Sequence, residues 1–234
     1  LFIAILNKSK RVTNEEVAIM TSAVNWQMKW HVCPAYQKTR PATVFLADES
    51  QIPPGSYVIG IFDAPDQPNA LGWHTEDAEG NVYGRVFANP TLDAGYKALD
   101  GEYSLTSILS HEVIEAYVDP TVSDWAMGNN GTLYAKEACD PVEADIYELH
   151  VGRKKTPVTL SNFIFPSWFD SSGNEPYDQL GKLSAPFTMT PGGYFIYIAP
   201  GSTQISQLFG AQYPDWKKET KKSELARTLR REVL

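Results

Sequence analysis

The chain has 234 residues and a net charge of −8, with 43% hydrophobic, 12% aromatic and 21% charged residues. This is the composition of a water-soluble globular protein and excludes wholesale disorder. The acidic balance argues against a nucleic-acid partner, which needs basic density, and no apolar run approaches the roughly 18–20 residues of a membrane helix. The length reads as one domain over residues 1–214, with a helix-bearing half (1–120) and an irregular half (121–214), followed by a basic segment at 215–234.

Phe2–Leu6 is a short apolar run ended by Asn7, Lys8 and Ser9. It lacks a basic flank and a cleavage site, so it reads as a buried strand and not as a signal peptide. Thr13 and Glu16 make a T-x-x-E capping box, and Val17, Met20, Val24 and Met28 follow at near-helical spacing. A helix is expected from about Asn14 to about Trp30, closed by Pro34. Thr43–Ala47 and Tyr57–Phe62 read as strands on either side of the Pro53-Pro54-Gly55 turn, the second apolar on both faces as an interior strand is. Asn81–Ala88 reads as another strand. A second helix is expected from about Tyr103 to Val118, stopping at Asp119-Pro120.

Proline, glycine and aromatic residues dominate from Asp124 to Pro200, with short strands expected at Ile146–Val151, Val158–Phe165 and Tyr194–Ala199. The last twenty residues hold seven Lys/Arg and four Asp/Glu, a charge of +3 that leaves −11 for the rest. Leu225, Leu229 and Val233 recur every fourth residue there, as in an amphipathic helix docked on the domain or an arm reaching a partner subunit. Cys33 and Cys139 are too few for a disulfide framework or a four-thiolate zinc site, and two reduced, buried thiols are favoured over a single bridge.

The chemistry concentrates in the second helix. His111 and Glu115 lie four apart and share one helical face, while Leu105, Ile108, Leu109, Val113, Ile114, Ala116 and Tyr117 make the rest apolar nearly all round. Ionisable groups inside such a helix cost several kcal/mol each unless they are paired or bind a cation. The pattern is H-E-x-x-E. In the related H-E-x-x-H helix two histidines bind zinc and the glutamate is a general base, so Glu115 takes the place of the second histidine and Glu112 that of the base.

A second acidic cluster follows at Glu137, Asp140, Glu143 and Asp145. Glu137 or Asp140 is the expected third ligand, with Glu143 a further candidate. The alternative is that these carboxylates cap loops, pair with Lys136 or Arg153, or face water. One divalent cation is expected, zinc first, with manganese, iron or calcium open. Its difficulty is electronic, because each carboxylate that replaces a neutral imidazole makes the metal a poorer Lewis acid. His74, after Leu71-Gly72-Trp73, reads either as a residue of a strand bordering the site or as a core histidine. Tyr194 is a possible carbonyl-polarising phenol, and Gly192-Gly193 is a turn signal. His150, beside a basic turn, is expected to face solvent.

Ser110-His111-Glu112-Val113-Ile114-Glu115-Ala116, then Asp119-Pro120, then Glu137-Ala138-Cys139-Asp140-Pro141-Val142-Glu143, resembles a family of tailed-bacteriophage and prophage virion proteins. The likeness extends to Leu71–His74, to Val158–Phe169 and to Pro191–Tyr194. It also reaches back to the first helix and its Pro34-Ala35-Tyr36 exit. The two acidic segments are also loosely similar to the secreted Exordium-like, phosphate-induced proteins of plants. The resemblance implies a zincin-like core and presence in virus particles, with other virion proteins or copies of this chain as partners, no nucleic acid and no membrane. Secretion is the alternative location.

The expected fold is therefore α+β: a zincin-like mixed sheet with a buried H-E-x-x-E helix, then an irregular half rich in proline and aromatics. Two functions are open. One is a capsid, decoration or tail component in which a metal ties the helix to the acidic loop; the other is a metal-dependent peptidase or hydrolase with Glu112 as general base. The first is favoured on the electronic ground.

Overall fold

The computed structural model describes residues 1–38, 41–67 and 70–218. The helix expected through Leu225, Leu229 and Val233 lies outside them. In chain order the elements begin β1 (Phe2–Asn7), α1 (Asn14–Gln27), a π-helical turn at Met28–Val32, α2 (Cys33–Tyr36), β2 (Thr43–Leu46) and β3 (Tyr57–Phe62). Then come β4 (Gly72–Glu76), β5 (Val82–Phe87), α3 (Ala88–Asp93), α4 (Leu105–Val118), β6 (Trp125–Met127) and β7 (Leu133–Ala135). The described chain ends through β8 (Ile146–Val151), β9 (Thr156–Ser161), β10 (Tyr194–Ile198) and β11 (Ile205–Phe209). The fold is mixed α and β, in two compact units: Leu1–Thr121 with Ile146–Ser161, and Val122–Asp145 with the chain from Asn162 on. Among the described residues no helix is long and apolar enough to cross a membrane.

The first unit is built on a five-stranded sheet of order β2-β1-β3-β5-β4. β1 runs parallel to β2 and β3, and β3 parallel to β5, while β4 is antiparallel to β5 at the sheet edge. Ile3, Ile5, Ile59 and Ile61 are fully buried in the interior strands, as parallel strands covered by helices demand. α1 packs on β1 and β2, α4 packs on β5 and β4, and the two helices touch. The β8–β9 hairpin lies against both helices. Gln27 of α1 donates from Nε2 to the Ser161 carbonyl at 2.9 Å, and the Ser161 N–H donates to Ser110 Oγ of α4 at 2.9 Å. These two bonds fix the hairpin to both helices at a place where an unpaired polar group costs about 1–3 kcal/mol.

α1 starts at the expected Thr13–Glu16 capping box. Pro34 does not close it. The chain passes through the π turn, where the Cys33 N–H reaches back to the Met28 carbonyl, and Pro34 opens α2, a position whose N–H needs no helical partner. The left-handed Gln37 ends the run instead. Asn81–Ala88 is likewise shorter as a strand than its sequence suggests, because Ala88-Asn89-Pro90 begins α3 with the proline in the first turn.

The second unit is more regular than its proline and glycine content suggests. It holds a four-stranded antiparallel sheet of order β11-β10-β7-β6. Ala135, Tyr194, Ile196, Ile198, Ile205 and Tyr213 pack together as a core with Trp125, Leu133 and Phe209 against them. Both cysteines are buried thiols that are not joined in a disulfide.

Candidate metal centre

α4 begins at Ser104, whose hydroxyl accepts from the Ser107 N–H, and all its residues from Leu105 to Val118 are buried. Its C-terminal carbonyls meet a cation: Lys38 Nζ donates to the Tyr117 carbonyl at 2.5 Å and to that of Val118 at 2.8 Å, against the negative end of the helix dipole. The Tyr117 phenol is pushed up by burial and then by the neighbouring Cys33 thiol, which keeps it neutral.

Within this frame His111 Nε2 lies 3.1 Å from Glu115 Oε2. The i, i+4 spacing puts both on one face, as expected, and they are only 9% and 4% exposed. Two donors bound to one tetrahedral zinc at about 2.0–2.1 Å stand about 3.3 Å apart, so the pair fits a shared cation. Glu112 turns toward β4. A Cβ built on Gly72 would lie 2.8 Å from Glu112 Oε1 and 3.0 Å from Ile108 Cγ2, so only a glycine leaves room for the carboxylate.

His74 is on β4, in register with Gly84 of β5, and is buried. Its Nε2 lies 3.1 Å from the Asp119 carbonyl and its Nδ1 3.4 Å from Glu112 Oε2. A carbonyl only accepts, so Nε2 carries the proton. His74 thus lies on a strand beside the H-E-x-x-E helix and is at the same time a buried histidine of the core.

On the second unit Asp140–Val142 forms a 3₁₀ turn, with Glu137, Cys139 and Asp140 buried. The Gly192-Gly193 pair is more than a turn. A Cβ on Gly193 would fall 2.1 Å from the Pro141 carbonyl and one on Gly192 2.4 Å from Ala144 Cβ, so both glycines allow the backbone to lie against the acidic segment. Glu143 is in a buried ion pair, its Oε1 3.1 Å from Lys217 Nζ. The Tyr194 ring stands among Phe209 and Tyr213, with centroids 5.9 and 5.5 Å away.

Buried histidine, glutamate and cysteine side chains are therefore grouped so that they could hold a metal ion. The structure brings His74, His111, Glu112 and Glu115 together in the first unit, and the second unit carries Glu137, Cys139, Asp140, Glu143 and Tyr194. Sequence reasoning missed Cys139 as a donor, Gly72 as the recess for Glu112, and the Asp119 carbonyl as the acceptor that orients His74. The one available signal was Asp119-Pro120 itself, which marks a helix end whose carbonyls need partners. His150 is exposed beside Glu148, as expected. His31 lies against Trp26 and 2.8 Å from the Tyr147 hydroxyl. Comparison with protein-family models, with curated proteins and with solved structures finds no match to this chain.

Proposed function

We propose that this chain is a zincin-like divalent-metal protein serving as a structural component of a tailed-bacteriophage particle, as capsid, decoration or tail protein. The metal reading is carried by one observation: His111 and Glu115 stand 3.1 Å apart on a helix buried along its whole length. Taking a carboxylate and an imidazole out of water together costs several kcal/mol, and a cation shared between them offsets that cost. A mixed sheet with the helix packed on its antiparallel edge supports the zincin-like likeness. The further ligand is Glu137 or Asp140, taken from the sequence signature, and zinc is the preferred ion. The virion setting rests on the resemblance of the S-H-E-V-I-E and E-A-C-D-P-V-E segments, and its partners are then other virion proteins or copies of this chain. In this role the metal stabilises the fold.

The test is elemental analysis of gently purified protein, with thermal melting before and after chelation. About one equivalent of metal per chain, and a melting temperature that falls on chelation and recovers with zinc, is the expected result. Metal-free protein whose melting is unmoved by zinc, manganese or calcium would refute the reading.

A hydrolase is the second reading, favoured by the way Glu112 is held between Gly72 and His74. A bound cation supplies Lewis-acid polarisation of a substrate carbonyl and makes water more acidic. Glu112, beside the His111 ligand, is the group that takes the proton of the attacking water and later returns it to the leaving group. Cleavage of an unfolded protein substrate that is lost in Glu112→Gln, with metal occupancy unchanged, would establish this reading over the structural one.

A further inference from the structure

We infer that Cys33 is a peroxide-reactive thiol, converted to a sulfenic acid whose oxygen is held by the Tyr117 hydroxyl; this reactivity does not depend on a bound metal. The π turn places the thiol. The Cys33 N–H reaches back to the Met28 carbonyl, and π turns within helical runs are frequent at functional sites. The sulfur in turn accepts from the Ala42 N–H at 3.3 Å. Cys33 keeps 9% of its surface exposed, whereas Cys139 is fully buried and the two are not joined.

Tyr117 supplies the partner. It is 2% exposed on α4, and its hydroxyl stands beside the Cys33 thiol without a hydrogen bond of ordinary geometry. A buried hydroxyl left in this state is costly, and a thiol is a weak acceptor that does little to relieve it. An oxygen atom on the sulfur is the acceptor that this O–H lacks. The surroundings of Cys33 therefore suit the oxidised side chain better than the reduced one. Lys38 adds positive charge, its Nζ 5.1 Å from the centre of the Tyr117 ring. Reactive thiols occupy such partly exposed, electropositive places, where the thiolate is favoured. Cys33, Lys38, Ala42 and Tyr117 all belong to the first unit.

The co-reactant is hydrogen peroxide, which is small enough to reach a thiol with so little open surface. The thiol gives its proton to solvent, and the thiolate sulfur attacks one peroxide oxygen. The S–O bond forms as the O–O bond breaks, and the departing hydroxide takes up a proton to become water. Sulfur is oxidised by two electrons and the peroxide is reduced by two. The Ala42 N–H stabilises the attacking thiolate, and the Tyr117 O–H donates to the oxygen that stays on the sulfur. Held in this way, the sulfenic acid resists a second attack. A small thiol returns it to the reduced state through a mixed disulfide.

The test treats the full chain with a small excess of hydrogen peroxide and locates the product by peptide mass spectrometry, because the exposed Met127 also takes up oxygen. Cys33 should gain one oxygen and lose it again to dithiothreitol, with Cys139 unchanged. Its reaction should be at least about tenfold faster than that of the same residue in the urea-unfolded chain, the gain expected of a favoured thiolate. Tyr117→Phe deletes only an unpartnered hydroxyl, so the variant should fold as the wild type does. In it Cys33 should pass on to the two-oxygen sulfinic acid, which dithiothreitol does not reverse. A Cys33 that stays unmodified, or reacts no faster than in the unfolded chain, overturns the inference. So does a Tyr117→Phe variant that keeps the single oxygen as long as the wild type. Should that variant fail to fold, the wild type decides, since direct passage to the two-oxygen product there defeats the proposal and a single reversible oxygen supports it.

Discussion

Side chains that matter most here are held by neighbours of unremarkable type, and substitutions of those neighbours have calculable effects. Gly72 touches Glu112 and Ile108 closely enough that a methyl group would overlap both. Gly72→Ala should therefore destabilise the protein by about 1–3 kcal/mol, the usual range for overpacking a filled site. Urea denaturation measures this, and a variant as stable as the wild type would show that Glu112 has room to move. His31 offers a pH handle outside the candidate metal centre. Desolvation lowers its pKa from the ordinary 6.5, so the folded state resists protonation more than the unfolded chain does. The unfolded chain binds more protons between the two pKa values, and stability falls as pH drops through about 6.5 toward the lower folded value. A His31→Gln variant should flatten that part of the stability–pH curve, and NMR titration should place His31 below a free histidine. A titration at or above the ordinary value would contradict the desolvation.

At the scale of elements, α4 is stabilised at both ends and at its middle by polar groups that its apolar sequence does not advertise. Ser104 caps the N-terminus and Lys38 covers the last carbonyls. Lys38→Met should cost about 1 kcal/mol, the scale of a charge at a helix C-terminus. Ser110→Ala removes the acceptor of the Ser161 N–H and should cost about 1–3 kcal/mol, as for a buried donor left unsatisfied. Thermal melting ranks the two, and a harmless Ser110→Ala would mean that the hairpin has another anchor. Much of this layer was legible beforehand. The capping box at Thr13, the two-sided apolar run of Tyr57–Phe62, the H-E-x-x-E helix and the strand Ile146–Val151 all declare themselves through local chemistry. What was not legible depended on partners distant in sequence. β6 and β7 have three residues each, too few for any periodicity to register. β9 ends at Ser161 and not at Phe165, because Asn162 turns its side chain to Asp178 and its N–H to the Asp145 carbonyl. Pro34, expected to close α1, instead stands in the first turn of α2, since a proline read alone does not reveal which side of a boundary it occupies.

The candidate metal site divides in the same way. The i, i+4 pairing of His111 with Glu115 follows from helical geometry alone, whereas the approach of His74 required the antiparallel strand β4, whose pairing with β5 no local pattern announces. In the second unit the Lys217–Glu143 pair is similarly non-local, with side chains 6% and 10% exposed. Lys217 opens the basic segment expected to be a docked helix or an arm, and its ammonium also lies 5.9 Å from the centre of the Tyr213 ring. Lys217→Met leaves the buried carboxylate without this cation and should cost about 3 kcal/mol, as in other broken buried pairs. A change under about 0.5 kcal/mol, the surface value, would show that the segment does not dock in solution.

Whole-molecule cooperativity should depend on the chain's interleaved course. The β8–β9 hairpin, Ile146–Ser161, belongs to the unit formed by Leu1–Thr121 although 24 residues, Val122–Asp145, intervene. Val158 and Leu160 are fully buried, and each fully buried side chain of this kind contributes about 1.5–3 kcal/mol. The Gln27–Ser161–Ser110 bonds add polar contacts that only the hairpin can satisfy. A fragment ending at Thr121 would therefore expose apolar surface on α1 and α4 and leave Gln27 and Ser110 without these partners. With domain stabilities of about 5–15 kcal/mol, that loss is enough to abolish a unique fold. The fragment 1–121 should bind an apolar dye, lack near-ultraviolet circular dichroism and unfold without a sharp transition. The same fragment joined to 146–161 through a flexible linker should recover part of the near-ultraviolet signal. A sharp, two-state melt from 1–121 alone would mean that the five-stranded sheet and its helices hold together without the hairpin, and that the 146–161 segment is an accessory to the unit.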